Sequence, residues 1–486
     1  MTMVQSVDSV ALLPAYLAAG TAVLVLLVDL LLARPAATVA AAAGGAVATV
    51  LGAAVVGAGG ERRTFCVGTD CSYVFGGRAA LVAALVALLV LGVLALSGPL
   101  LRTGQTPVGE FCFLLACSMT GGVVLGAAGD LITLIVAVEV LTLPLYILVG
   151  LRRGSLASAE AAVTFFVVSV VATTLTLLGA ALLYAVTGGL HLERLGTLLA
   201  DESLLDLPLT TVAVTLVVAG LAFKVAAVPF HAWAPATYDG APLPVAAYLS
   251  TASKLGGVVA LLAVVQHALP PGVTGPVLAL VAALTMTVGN LVALRQRRTV
   301  RLLAWSSVAQ AGYILAPLGA LALSDAEART GAYAAALAYA VFFVLLELAA
   351  FAGVVALRPA GADGGTLDDL RGAARRHPWV GAGLAFALVG LAGLPPALAG
   401  LFAKVTVVRS LLGGDAGWLA LVVALNAVLG LAYYLRVAAL LYAPPGDVAA
   451  PAVRPARAVA AALAVATVVA VVVGFAPQVV LDLAGS

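Results

Sequence analysis

Ala219-Gly220-Leu221-Ala222-Phe223-Lys224-Val225 recurs 180 residues later as Ala399-Gly400-Leu401-Phe402-Ala403-Lys404-Val405. Each copy lies inside a long apolar run and has proline close by: Pro229 follows the first lysine, and Pro395-Pro396 precede the second. The chain has one further lysine, Lys254, again in an apolar run; the other 21 of its 24 basic residues are arginines. An ammonium in a bilayer-spanning helix costs roughly 2.5–3.5 kcal/mol on insertion scales. Lysine kept at that cost, while arginine serves the polar connections, implies a use for the cation that can release its proton. Arginine stays charged under accessible conditions, whereas a desolvated lysine can be neutral.

Hydrophobic residues make up 63% of the 486 residues and charged ones 9%, with a mean hydropathy of +1.17. Soluble domains carry roughly 25% charged residues, so this composition excludes a soluble globular protein. The apolar runs are continuous rather than alternating, which implies helices and not a barrel. A net charge of +2 and the lack of a basic tail exclude a nucleic-acid partner. The first residues have no positive segment and their apolar run continues to Leu32, as in a retained first helix rather than a cleaved signal peptide.

Runs long enough to cross about 30 Å of hydrocarbon predict an all-α integral membrane protein with about fourteen transmembrane helices, centred near 23, 47, 88, 119, 140, 172, 218, 252, 284, 310, 343, 394, 429 and 468. The positive-inside rule supports the count. With the N-terminus outside, fourteen arginines fall in inner connections and six in outer ones, Arg436 lying within a helix. No soluble domain interrupts the run, so residues 1–486 read as one polytopic membrane domain. The longest polar segment, 358–378, joins the eleventh and twelfth helices and reads as a surface helix or linker.

The two lysine heptapeptides fall in helices 7 and 12. Five crossings apart, these helices run antiparallel, which is the mark of an inverted-topology repeat. The repeat pairs helices 4–8 with helices 9–13, giving a first half over 110–267 and an inverted second half over 274–443. The nearby prolines predict that helices 7 and 12 are broken inside the membrane, where freed backbone groups can host ions or water.

Glu139 lies deep in the fifth helix, and a buried carboxylate needs a cation. Lys254 has small hydroxylated neighbours, Ser250, Thr251 and Ser253, that can hold water. Glu139, Lys224, Lys254 and Lys404 therefore form a candidate row of titratable groups along the middle of a bundle. His231, beside Pro229, and Glu347, in the eleventh helix, are possible further relay residues. His191, His267 and His377 read as solvated, Asp29 and Asp130 as ordinary carboxylates near helix ends, and Trp233, Trp305 and Tyr238 as interfacial anchors. Cys112 and Cys117 read as packing residues. Cys66 and Cys71 flank a short loop and can pair in an oxidising compartment. No His/Cys cluster has metal-ligand spacing and no glycine-rich loop follows a strand pattern, so neither a catalytic redox site nor a bound metal, nucleotide, haem or iron–sulfur cluster is expected.

The stretch from Lys224 through Val-Ala-Ala-Val-Pro229-Phe-His231-Ala-Trp233-Ala-Pro-Ala-Thr-Tyr238-Asp-Gly-Ala-Pro242 to Lys254 resembles the signature of the antiporter-like subunits of proton-pumping NADH:quinone oxidoreductase, respiratory complex I. So does Arg301-Leu-Leu-Ala-Trp305-Ser-Ser-Val-Ala-Gln310-Ala-Gly-Tyr313, and the resemblance covers nearly the whole chain. The combination of Glu139, Lys224, Lys254 and Lys404 is similar to the N-type branch of the family. The M-type branch carries glutamate at the position of Lys404, and Lys254 is unlike the L-type branch. Two positions depart from the family pattern: Ala236 replaces a usual acid, and Glu347 stands where no charge is usual.

The resemblance implies a proton-translocating, non-redox subunit in the membrane arm of a complex that oxidises NADH and reduces quinone elsewhere. Glu139 and Lys224 would be the coupled pair on the uptake side, Lys254 the central relay and Lys404 the residue nearest release. NADH, FMN, iron–sulfur clusters and quinone would then belong to other subunits of the complex. The implied partners are its other membrane subunits and the lipid bilayer. The expected location is a bacterial plasma membrane. A subunit of a multi-subunit cation/proton antiporter is the alternative.

Overall fold

The computed structural model describes residues 7–444 and 454–485. Residues 1–6, the N-terminal end that the arginine distribution puts outside, lie beyond that range.

Each of the fourteen apolar runs is helical. Among the described residues, eleven helices are individually long and apolar enough to cross a membrane. The remaining three spans are span 7 (7a, Pro208–Lys224, and 7b, Trp233–Gly240), span 10 (Thr299–Leu315) and span 12 (12a, Pro378–Ala392, and 12b, Leu398–Gly413). Helix starts follow local chemistry. Proline occupies the first turn at Pro35, Pro208, Pro271 and Pro378, where no backbone donor is required. Span 5 (Leu131–Gly150) is capped by Asp130, whose carboxylate accepts from the Thr133 amide at 2.7 Å and its hydroxyl at 2.8 Å. That fixes Asp130 as a structural carboxylate.

Span 8 (Leu243–His267) and span 11 (Ala326–Leu357) are buried over most of their length, and the helices around them turn apolar faces outward. Span 6 (Leu156–Thr187), for example, exposes Val163, Phe166, Val167, Val170 and Val171. Such a surface is stable only against lipid or a neighbouring membrane protein.

The breaks in spans 7 and 12 come where proline removes a donor, and side chains take up the freed backbone groups. In span 7 the chain leaves the helix after Lys224. The Phe223 carbonyl then accepts from the Trp233 indole at 3.1 Å, and the Val228 amide donates to Thr285 Oγ1 at 2.9 Å. In span 12, Gly393 takes a left-handed conformation (φ 85°) that ends 12a. The carbonyls of Leu391 and Ala392 are taken by Gln310 and Lys404. Gly400 packs directly on the Gly390 carbonyl, a place that any Cβ would overlap.

Between spans 2 (Pro35–Ala58) and 3 (Gly77–Leu101) the sequence reads as a loop, but the chain forms an antiparallel hairpin, Arg62–Val67 with Asp70–Phe75. Cys66 and Cys71 are cross-strand partners and are disulfide-bonded. The polar segment 358–378 holds only two short helical turns, Asp368–Leu370 and Ala373–Arg376. It is anchored by a bridge between Arg298 and Thr366 and by ion pairs of Arg298 and Arg358 with Asp363.

Candidate functional site

The three lysines are all buried, and each finds a different kind of partner. Lys224, the last residue of 7a, meets Glu139 of span 5, with Nζ 2.7 Å from Oε1. Its other contacts go to Ser169 Oγ at 3.0 Å and Thr142 Oγ1 at 3.3 Å, which uses all three ammonium protons. Thr173 donates a second bond to the same Glu139 oxygen at 2.6 Å, and Tyr146 donates to Ser169. The lysine side chain is 5% exposed and the glutamate 21%, so the pair opens on its acidic side.

Lys254 follows directly on a π-helical turn, Leu249–Ser253, in span 8. A π-turn inserts a residue into an α-helix and re-aims the side chains beyond it. The ammonium donates to Ser307 twice, to its carbonyl and its hydroxyl, both at 2.6 Å, and lies 5.9 Å from the Phe343 ring. One turn further along span 8, Gly257 sits against the Lys224 backbone; a Cβ there would come within 2.8 Å of the Lys224 carbonyl. The central lysine and the Glu139–Lys224 pair therefore belong to helices in direct contact.

Lys404 sits in 12b and donates to the Ala392 carbonyl at 2.5 Å, at the end of 12a. The Tyr313 ring lies 5.2 Å from its ammonium. The two lysine heptapeptides thus stand on opposite sides of their breaks: Lys224 precedes the break in span 7 and Lys404 follows the one in span 12. The order of lysine and proline in the two stretches already gives this difference in the sequence.

Between Lys254 and Lys404 runs a set of polar groups that the sequence analysis did not single out. Gln310 donates to the Leu391 carbonyl at 3.0 Å and to the Tyr434 hydroxyl at 3.1 Å, and accepts from Tyr339 at 2.6 Å. Gln310 and Lys404 therefore hold consecutive carbonyls, those of Leu391 and Ala392. Beside them Asn290 donates to Tyr313 at 3.1 Å and accepts from Tyr433 at 3.0 Å, and it is braced by Asn426. In the sequence these groups show only as amides and hydroxyls within apolar runs. That signal is weak, because such residues also close local bonds within their own helices.

The other residues singled out in the sequence bond none of the three lysines. His231 lies in the span 7 break with its ring 5.1 Å from Trp305, and its buried Nδ1 has no hydrogen-bond partner among the described residues. Trp233 and Tyr238 are not interfacial anchors. Both are buried, the indole bonded to the Phe223 carbonyl and the phenol to the Leu249 carbonyl at 3.1 Å. The backbone carbonyls freed by the broken helix and the π-turn draw them inward. His191 is half-buried, 3.5 Å from Ser72 Oγ. Glu347 is fully buried in span 11.

This architecture, two broken membrane helices each with a buried lysine beside its break, is that of the antiporter-like membrane proteins. A family model described as NADH:quinone oxidoreductase/Mrp antiporter, transmembrane, matches residues 128–430. The chain is 77% identical to NADH-quinone oxidoreductase subunit N of Salinispora tropica, over the full length of both. Among solved structures, a chain of respiratory complex I from Thermus thermophilus with bound aureothin is 30% identical. It superposes with a TM-score of 0.81, over 97% of this chain and 100% of that one. A chain of the Mrp complex from Dietzia shares the fold, at 23% identity and a TM-score of 0.80, over 98% of this chain and 96% of that one. The chain belongs to the antiporter-like family of NADH:quinone oxidoreductase membrane subunits, within its subunit N branch.

Proposed function

We propose that this chain carries protons across the plasma membrane as a membrane-arm subunit of NADH:quinone oxidoreductase, driven by electron transfer from NADH to quinone in other subunits. The observation that carries this reading is the row Glu139, Lys224, Lys254 and Lys404. Four titratable groups on four spans, three buried lysines and a half-buried glutamate, lie among hydroxyls and amides in one bundle. A scaffold has no use for that cost. At an effective dielectric near 20, neighbouring charges interact by about 4 kcal/mol at 4 Å, so moving one proton biases the next.

Glu139 and Lys224 form the uptake-side pair in this reading, Lys254 the central relay and Lys404 the release-side group. Residues 110–267 and 274–443 are its two inverted halves. The hydroxyls of Ser169, Thr142 and Thr173 hold the ammonium and carboxylate in place while remaining free to rotate as protons move. His231, at the span 7 break, is a candidate for supplying protons to the row. The redox chemistry belongs elsewhere. The likeness to a subunit N assigns the FMN, iron–sulfur clusters, NADH and quinone to other subunits. The cation/proton antiporter alternative has the shared fold in its favour, but the full-length identity to a subunit N favours the oxidoreductase.

Glu139→Ala tests the role of the row. The assembled complex is expected to oxidise NADH while losing most proton translocation in inverted membrane vesicles, because Lys224 loses its charge partner. Normal translocation by that variant would reduce the pair to a structural ion pair.

Orientation is tested at the hairpin. The arginine distribution puts it outside, so Cys66 and Cys71 are expected to react with a membrane-impermeant thiol reagent in intact cells after reduction. Labelling confined to inverted vesicles would reverse the assigned topology.

A further inference from the structure

Glu347 is the one acid of the span 11 interior and plays no part in the contacts described so far. It is fully buried, and neither carboxyl oxygen has a hydrogen-bond partner among the described residues. Burying a carboxyl group without partners is costly, and buried acids inside membrane proteins mark proton or ion paths far more often than packing positions.

Its placement supplies the role. Tyr339, Phe343 and Glu347 follow one another at four-residue spacing, so they share one face of span 11. Tyr339 bonds Gln310, the amide that holds the Leu391 carbonyl next to the one Lys404 holds. Phe343 lies against the Lys254 ammonium. Glu347 lies one turn beyond Phe343 on that face. Tyr434 in turn accepts from Gln310. The acid therefore shares one face of span 11 with the ring at the central lysine and with the hydroxyl that bonds the amide set leading to the break of span 12.

We infer that Glu347 is an additional proton-carrying residue between Lys254 and Lys404. The step moves one proton: an N–H bond of the Lys254 ammonium breaks, leaving the lone pair on nitrogen, and an O–H bond forms on a Glu347 oxygen. Lys254 in this structure donates to Ser307 and not to Glu347, so a side-chain rotation that releases Ser307 precedes the transfer. The protonated carboxyl is then a donor on the face of span 11 that it shares with Tyr339, which brings the proton from span 8 toward span 12. The inference rests on the relay reading above and adds a station to it.

The test uses the assembled complex in inverted vesicles and compares Glu347→Gln, Glu347→Asp and Lys254→Met for protons moved per NADH oxidised. Glutamine matches the neutral acid in shape and hydrogen bonding but holds no exchangeable charge. A proton carrier is expected to lose translocation by roughly tenfold or more in Glu347→Gln, with partial recovery in Glu347→Asp. A residue that only fills space as a neutral acid leaves Glu347→Gln at wild-type pumping, which overturns the inference. Lys254→Met separates the two levels. If it also pumps normally, the relay reading itself falls; if it is inactive while Glu347→Gln is normal, only the role of Glu347 falls. Should Glu347→Gln not assemble, infrared difference spectra during NADH oxidation decide. A carboxyl C=O band that shifts in Glu347→Asp supports proton uptake at this residue, and no such band rules it out.

Discussion

Replacing Lys224 with arginine is expected to leave the complex assembled and to stop most of its proton transfer. Arginine keeps the positive charge and can still pair with Glu139, and the three acceptors around the ammonium, Glu139, Ser169 and Thr142, suit a multi-donor cation. A purely structural ion pair would survive the exchange, since its strength depends on charge and geometry. A relay would not, because guanidinium does not release its proton at any pH the cell reaches. General acid–base groups contribute about 100-fold or more to the steps they serve, so a drop of at least tenfold in protons moved per NADH is the expected scale. Reconstituted vesicles report it directly: NADH oxidation gives the electron flux, and a pH-sensitive dye gives the proton flux. Two outcomes separate the readings. Persistent NADH oxidation with lost acidification supports the relay, and wild-type acidification by Lys224→Arg shows that only charge matters at that position. Arginine is the larger side chain in a site where Gly257 packs on the Lys224 backbone. The amount of assembled complex is therefore measured alongside, and the proton flux is normalised to it.

The sequence discloses the parts of this molecule whose signals are local. Hydropathy marks all fourteen spans, and proline marks the two breaks, because a missing backbone donor acts on its own helix. The lysines stand out because their burial is expensive and their number small. What escapes the sequence depends on partners far along the chain. Ser307 lies 53 positions from Lys254, and Glu139 lies 85 from Lys224. Only folding shows which hydroxyl of several meets an ammonium. Gln310, Tyr434 and Asn290 are ordinary polar residues in apolar helices until spans 10 and 12 come together with the helices Pro271–Leu294 and Gly417–Tyr442. Trp233 and Tyr238 read as interfacial for a related reason. Nothing local says that a broken helix and a π-turn leave carbonyls inside the membrane for them to bond. The hairpin at Cys66 is missed because strands of six residues with a two-residue connection leave too short a pattern to separate from a loop.

The break in span 12 makes position 404 sensitive in two ways, which two substitutions separate. The Lys404 ammonium lies at the carbonyl end of 12a, where the half-helix carries negative partial charge, and it bonds the Ala392 carbonyl at 2.5 Å. Methionine at 404 keeps the length and apolar stem of the side chain but offers no donor. Leaving a buried carbonyl unsatisfied costs about 1–3 kcal/mol, so Lys404→Met is expected to loosen the end of 12a and lower the thermal stability of the detergent-solubilised complex. It is also expected to abolish coupled proton transfer, since no titratable group remains there. Arginine at 404 restores the positive charge and a donor for the carbonyl, so Lys404→Arg is expected to recover the stability. It should still lose proton transfer by roughly tenfold, because the charge is then fixed. The loss is expected to be smaller than for Lys224→Arg, because position 404 has no carboxylate partner whose pairing a fixed cation would freeze. Stability and pumping measured on the same preparations decide the role. Recovery of both by arginine would make Lys404 a helix-end cap and nothing more. Recovery of stability alone assigns it the last proton-bearing position of the row.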